Sequence, residues 1–446
     1  MAIPNPLLSK RHIVAALVCI ILFGTASAQA NMIRDTEIES GLETIILPLS
    51  KAAGYADYDI KIRVVLDESY NAYVIGTRAI YVHSGLILKA KSANEFLGVM
   101  AHEIAHIKAG HVQRMGEEVT NANSASALAA LAAIAVAASG NGEAATGVII
   151  GGTDRARRNL ISSVRRNEAV ADEIGLQLLD ATKTPATGIR DLMQRMARQH
   201  ALPESRQSEY YSTHPGAAQR LLTYQDHMNN SPYSSYGTPP TVDDIFTRIE
   251  TKLDAWTEQP QRILAKTDPE VNPIYQRYAH SIAAYRRGNL DHALELIDAI
   301  IAERPGDAYF HEFRGDILIS MQRANDSAAA YETAVSIRPQ SPQILLNLGR
   351  ALIASGDPSL LPRAIEAIEQ ARFFEPSWAF IHRQLGIAYG RAGKLNAADI
   401  SLADEALLLG DKTRAVQLAK RAIERGGMAY QLLARANDIV FSYEAE

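Results

Sequence analysis

The sequence predicts two domains of different class: a mostly helical α+β domain with a small sheet, then an all-α solenoid of stacked helix pairs. Three observations carry this expectation. Before about residue 110, strand-like alternation gives way to a capped amphipathic helix. The segment Asn229 to Pro240 is rich in Asn, Ser, Tyr, Gly and Pro and reads as a loop. From Thr241 onward the pattern is helical, and Gly315, Gly349 and Gly386 fall 34 and 37 residues apart. The expected divisions are residues 1–30, 31–240, 241–272 and 273–446, the third a helical linker.

Residues 1–30 read as a secretory leader. Lys10, Arg11 and His12 form a basic start, Ile13 to Phe23 is an apolar run of 11 residues, and Ala28-Gln29-Ala30 is an A-x-A cleavage site. The run is far short of the ~20 residues that cross a bilayer. The one cysteine, Cys19, lies inside it, and Val18 stands where a lipidation signal needs a small residue. The mature chain is therefore expected to hold no disulfide and to use no thiol chemistry, which suits a bacterial periplasm. Hydrophobic residues make up 47% and charged residues 21%, the balance of an ordinary folded chain. A formal net charge of −5 argues against nucleic acid as a partner.

Ile60 to Leu66 alternates like a strand. Ala72 to Val82 holds two short β-rich pieces on either side of Gly76-Thr77-Arg78, the pattern of a hairpin or a bulged edge strand. Ser92, with Glu95 three residues on, predicts a capping box. Phe96, Leu97, Met100, Ile104 and Ile107 then form an apolar stripe, and Gly110 stops the helix. Ser124 to Ala138 is Ala-rich and about 15 residues long, too short to cross a membrane. It reads either as a buried or amphipathic helix or as a flap that makes peripheral membrane contact. Gly140 to Gly152 reads as a flexible loop.

In the last region Pro305, Pro339 and Pro376 repeat the spacings of 34 and 37. Ala293, Ala364 and Ala398 fall where the second helix of a pair needs a small residue, and Tyr331, Ala334 and Ala371 fit the same frame. That is the tetratricopeptide pattern. The longer interval places three extra residues in the turn Asp357 to Pro362. About four repeats are expected, with a degenerate pair over Asp411 to Tyr443. Such arrays curve and bind protein on the concave side.

The chemistry centres on His102-Glu103-Ile104-Ala105-His106. Residues i and i+4 share a helix face, so both imidazoles can reach one metal ion. Glu103 lies about 100° round the helix, where it can take a proton from an attacking water and hand it to the leaving amine. His111 follows the helix stop, off the ligand face, and His83 sits at a strand end; both read as structural. Two histidines leave a catalytic site one ligand short. Glu168 and Asp172 are also i and i+4, although on spacing alone a solvated helix face is the ordinary reading.

HEIAH, followed by RRNEAVADEIG and preceded by AYVIGTRAIYVHSGLI, resembles the HtpX/CAAX-prenyl-protease family of zinc metallopeptidases. With the leader and the repeats, the resemblance covers nearly the whole mature chain. It implies an α+β zincin-type metallopeptidase domain binding one zinc ion. His102, His106 and Glu168 match the ligands and Glu103 the general base. Asp172 would hold the outer nitrogen of a ligand histidine. Ser212-Thr213-His214-Pro215 matches a Thr-His-Pro stretch, so His214 is a candidate fourth ligand and switch. Arg220 is a candidate for steadying an oxyanion, with a surface salt bridge as the alternative. Edge strand Asn71 to Ile75 would receive an extended substrate.

The implied function is a periplasmic endopeptidase acting on misfolded or stalled envelope and outer-membrane proteins. Its repeats would dock protein assembly machinery in a chaperone-like way. The contrasting reading is a non-catalytic chaperone or scaffold whose zinc site is capped and latent.

Overall fold

β-branched and aromatic residues alternate through residues 61–83, and there the computed structural model forms most of its sheet. The structure describes residues 32–114, 154–199, 208–267 and 271–443. The leader, the Ala-rich segment Ser124 to Ala138 and the Gly140 to Gly152 loop lie outside these residues.

Strands β1 (Met32–Ile33), β2 (Lys61–Val65), β3 (Ala72–Ile75) and β4 (Ala79–His83) make one sheet in the order β1-β2-β4-β3. β2 runs parallel to β4, with Lys61 opposite Ala79 and Val65 opposite His83. β3 and β4 form an antiparallel hairpin around Gly76, whose φ of +69° suits the tight turn. β3 is therefore an edge strand. Ile62, Val64, Ile80 and Val82 bury one face against the helices.

Helix α1 (Thr36–Ala52) is capped by Asp35, whose Oδ1 accepts from Ile38 N at 3.0 Å. Helix α2 (Ser84–Lys89) follows β4 directly. Helix α3 (Ala93–Lys108) carries the HEIAH stretch. Ser92 Oγ accepts from Glu95 N at 3.2 Å, but the expected capping box is only half made. The Glu95 carboxylate is buried and turned to Tyr70 Oη at 2.8 Å and to Arg195. A buried acid with two donors outweighs one exposed backbone N–H.

Four further described helices belong to the first unit, α4 (Asp154–Ala181), α5 (Thr187–Gln199), α6 (Glu209–Thr213) and α7 (Ala217–Asn230), and α8 (Pro240–Thr257) begins in it. Leu42, Ile46, Phe96, Met100, Ile189 and Leu192 lie in its core. Gly98 lets α3 and α5 approach; a Cβ there would meet Ile189 Cβ at 2.6 Å.

The chain divides into two compact units after Leu253. Phe246, Ile249 and Leu253 of α8 belong to the core of the first, and Ala255 and Ile263 to a core of the second. After α9 (Pro260–Ala265), the second unit is built of helix pairs. They are α10 (Pro273–Arg286) with α11 (Leu290–Glu303), α12 (Ala308–Ser320) with α13 (Ala324–Ile337), α14 (Pro342–Ala354) with α15 (Leu361–Phe374), and α16 (Ala379–Arg391) with α17 (Leu395–Leu408). A last pair, α18 (Lys412–Arg425) and α19 (Tyr430–Tyr443), ends the array.

Ser281 stands one period before Gly315, and Ser327 stands between Ala293 and Ala364 in the same frame. Both are buried. Each hydroxyl donates to a carbonyl across its pair, Ser281 Oγ to Ala293 O at 2.7 Å and Ser327 Oγ to Gly315 O at 2.9 Å. A serine thus replaces Gly or Ala where its hydroxyl has a partner. The three extra residues between repeats form a 3₁₀ turn, Pro358–Leu360. Among the described residues, no helix is long and apolar enough to cross a membrane.

Candidate metal centre

Four helical segments bring the site together. α3 supplies His102, Glu103 and His106; α4 supplies Glu168 and Asp172; His214 caps the end of α6; and Arg220 and Tyr224 sit one turn apart on α7. His102, Glu103, Glu168, Asp172, His214 and Arg220 are all buried, and His106 nearly so. Contrary to the solvated-face reading, Glu168 and Asp172 point inward.

One ligand atom from each of His102, His106, Glu168 and His214 lies within 4.8 Å of the others. His102 Nε2 is 3.1 Å from His106 Nε2 and 3.3 Å from both Glu168 Oε2 and His214 Nδ1. Glu168 Oε1 is 3.4 Å from His106 Nε2, and its Oε2 is 3.1 Å from His214 Nδ1. Around this group, His102 Nδ1 meets Asp172 Oδ1 at 3.0 Å. Asp172 also accepts from Tyr224 Oη at 2.6 Å and from Arg220 Nε and Nη2, both at 2.7 Å. Arg220 Nη1 donates to Glu168 Oε2 at 2.7 Å and to His214 O at 3.2 Å. Arg220 is thus no surface ion pair; burial excludes that alternative.

Residues 34–226 match the model of peptidase family M48, and residues 278–342 match a tetratricopeptide repeat model. The chain joins a family M48 peptidase domain to tetratricopeptide repeats. A beta-barrel assembly-enhancing protease from Yersinia pestis is 23% identical over 407 residues, covering 89% of this chain and 82% of that protein. The protein of the same name from Escherichia coli K12 is 24% identical over 338 residues, 74% of this chain and 68% of its own length. Among solved structures, MamA from Desulfovibrio magneticus RS-1 is 19% identical, covering 37% of this chain and 95% of that chain at a TM-score of 0.33.

M48 peptidases are metalloproteases, so the family implies a metal cofactor. The residues of this M48 domain fit one. Ligand atoms on one ion at metal–nitrogen distances of about 2.0–2.1 Å stand roughly 3.3 Å apart; among His102, His106 and Glu168 the separations are 3.1–3.4 Å, and with His214 all four atoms fall within 4.8 Å. Glu168 and Asp172 share one guanidinium, and Glu103 is a third buried carboxylate beside them, an excess of acid that suits a cation. Glu103 Oε1 is buried without a hydrogen bond, 3.6 Å from His214 Nε2.

Electrostatics sort the groups by role. Burial raises the Glu103 carboxyl above its ordinary range, against the pull of His214 and His102. Burial acts the same way on Glu168, but His214 and His102 outweigh it and hold that carboxyl well below the usual range. Asp172 is likewise held down, by Arg220 first and then His102. Two rings 3.1 Å apart share at most one added proton. Burial and Arg220 oppose it on His102, yet Glu168 and Asp172 prevail and push that ring up to about 9. His106 is pushed down to about 3, mainly by burial.

Tyr210, Tyr224 and His111 were not picked out by sequence reasoning as part of the site. The Tyr210 ring lies 4.3 Å from that of His214. Tyr224 follows Arg220 by four residues, a spacing that would have placed both on the Asp172 side. His111, read as structural, reaches His106 on the side away from the ligand atoms.

Proposed function

We propose that the chain is a zinc-dependent endopeptidase of the bacterial periplasm that cleaves unfolded or stalled outer-membrane proteins. In this reading His102, His106 and Glu168 hold one zinc ion, and Glu103 is the general base. The observation that carries it is the His102–His106–Glu168 group with Glu103 Oε1, buried and without a hydrogen bond, beside it. When bound, zinc supplies Lewis acidity, polarising a peptide carbonyl and bringing water toward ionisation near neutral pH.

The chain's own residues do the rest. Glu103, its affinity for protons raised by burial, takes one from water at Oε1 and returns it to the leaving amine. Asp172 fixes the tautomer of His102, and Arg220 holds Asp172 and Glu168 in place. Its Nε and both terminal nitrogens already meet carboxylates, so Arg220 serves better as a positioning group than as an oxyanion donor. Among the described residues β3 ends the sheet, and its outer edge is where an extended substrate would add as a strand. The relatives are named as proteases that enhance β-barrel assembly, which supports a place for this chain beside that process. The repeats are the docking surface for the assembly machinery, and a leader cleaved near Ala30 directs export.

A second reading is favoured by His214. With its Nδ1 among the ligand atoms, four protein ligands leave no open position, the arrangement of a closed site. The chain would then work as a chaperone or scaffold until His214 is displaced. The test is cleavage of a loosely folded protein by the wild type, Glu103→Gln and His214→Ala, with zinc content measured in each. Cleavage lost in Glu103→Gln with zinc retained supports the peptidase. Cleavage gained in His214→Ala adds the cap. No cleavage by wild type or His214→Ala, with zinc bound, overturns the peptidase in favour of the scaffold.

A further inference from the structure

His106 has two ring nitrogens, and the reading above uses one. Nε2 faces His102 and Glu168. Nδ1 faces His111 Nδ1 at 2.8 Å. Two imidazole nitrogens at that distance are a donor and an acceptor. If Nε2 gives its lone pair to an ion, the neutral His106 ring carries its proton on Nδ1. His111 Nδ1 must then accept.

The backbone places His111 there. α3 ends in a tight turn, with Ala109 N donating to Ala105 O at 2.9 Å and Gly110 N to Ile107 O at 3.0 Å. Gly110 takes φ +67°, which a residue with a side chain rarely adopts, and this turns the chain back over the last helical turn. The buried His111 ring then meets the His106 ring edge-on, their centres 4.9 Å apart.

We propose that His111 is a positioning residue of the metal centre, accepting from His106 Nδ1 and so fixing the tautomer and ring plane with which His106 meets the ion. It does for His106 what Asp172 does for His102. The two supports differ in charge: a carboxylate, itself paired with Arg220, stands behind one ligand and a neutral imidazole behind the other. This inference rests on His102, His106 and Glu168 being zinc ligands.

The test compares two substitutions in the full chain. His111→Phe keeps a ring against His106 and removes the acceptor. His111→Asn removes the ring and keeps an acceptor atom at the δ position. Zinc affinity is measured by competition with a chromophoric chelator, and thermal unfolding of the metal-free proteins is followed alongside. Loss of an outer partner weakens metal binding about 10–100-fold. The expected result is that loss in His111→Phe and little change in His111→Asn, with metal-free unfolding similar in all three. A packing role predicts the reverse order, and that order overturns the proposal. So does wild-type affinity in His111→Phe. A wild type that binds no zinc sinks the metal reading itself, which is a separate outcome.

Discussion

The Arg220 guanidinium holds two buried carboxylates, Glu168 and Asp172. Removing one partner of such a group leaves charge buried and uncompensated, at a cost of about 3–5 kcal/mol. Arg220→Met should therefore lower the denaturation free energy of the metal-free chain by that order. A change within experimental error would mean that protonation of His102 or His106 already balances the acids. The site was legible where its order is local. His102, Glu103 and His106 share one helical repeat; Glu168 and Asp172 share another, but spacing alone leaves them on a solvated face, and only the family resemblance points them at the site. What joins α3, α4 and α7 was not legible, because a contact between distant helices leaves no mark on spacing. His111 escaped for a related reason. Counted along an ideal helix it lies off the ligand face, and only the left-handed turn at Gly110 brings it back.

At the scale of elements, α6 is the piece that delivers His214, and it has only five residues. Its position depends on the residues just before edge strand β3. Tyr210 N donates to Tyr70 O at 3.2 Å, and Glu209 Oε2 accepts from Ser69 Oγ at 2.9 Å and Asn71 Nδ2 at 3.4 Å. If His214 caps the ion, Glu209→Ala loosens the cap while leaving every proposed ligand in place. Losing partly exposed hydrogen bonds worth about 1 kcal/mol raises the open population roughly fivefold. Cleavage of an unfolded substrate should rise by a similar factor, and an unchanged rate would detach α6 from control of the site. The strands and α3 were legible from alternation, the Ser92 cap and the apolar stripe. Strand order was not. Nothing in the alternation says that β2 pairs with β4, because alternation marks which face of a strand is buried and not which strand lies beside it. The repeats were legible through their small residues, although Ser281 and Ser327 hid two positions by substituting a hydrogen bond for an absent side chain.

For the whole molecule, the division after Leu253 separates the metal chemistry from the array. A bound ion stabilises only the unit that holds it, by about 2.7 kcal/mol at a free concentration one hundred times the dissociation constant. The array gains stability from each repeat and its neighbour, with no ion involved. The two tryptophans allow the units to be watched separately, because Trp256 and Trp378 both lie past the division. Trp256 packs on Tyr285 and Phe313 among the first repeats, and Trp378 lies against the core of later ones. Stripping the metal with a chelator should lower the transition of the first unit, seen by circular dichroism, by roughly 5–10 °C. The transition seen by tryptophan fluorescence should stay where it is. If both move together, the ion stabilises the array as well, and occupancy of the centre would then be felt at the docking surface. That outcome would make the metal a regulator of partner binding as well as the centre of the chemistry, because whatever the repeats bind would in turn change the affinity for the ion.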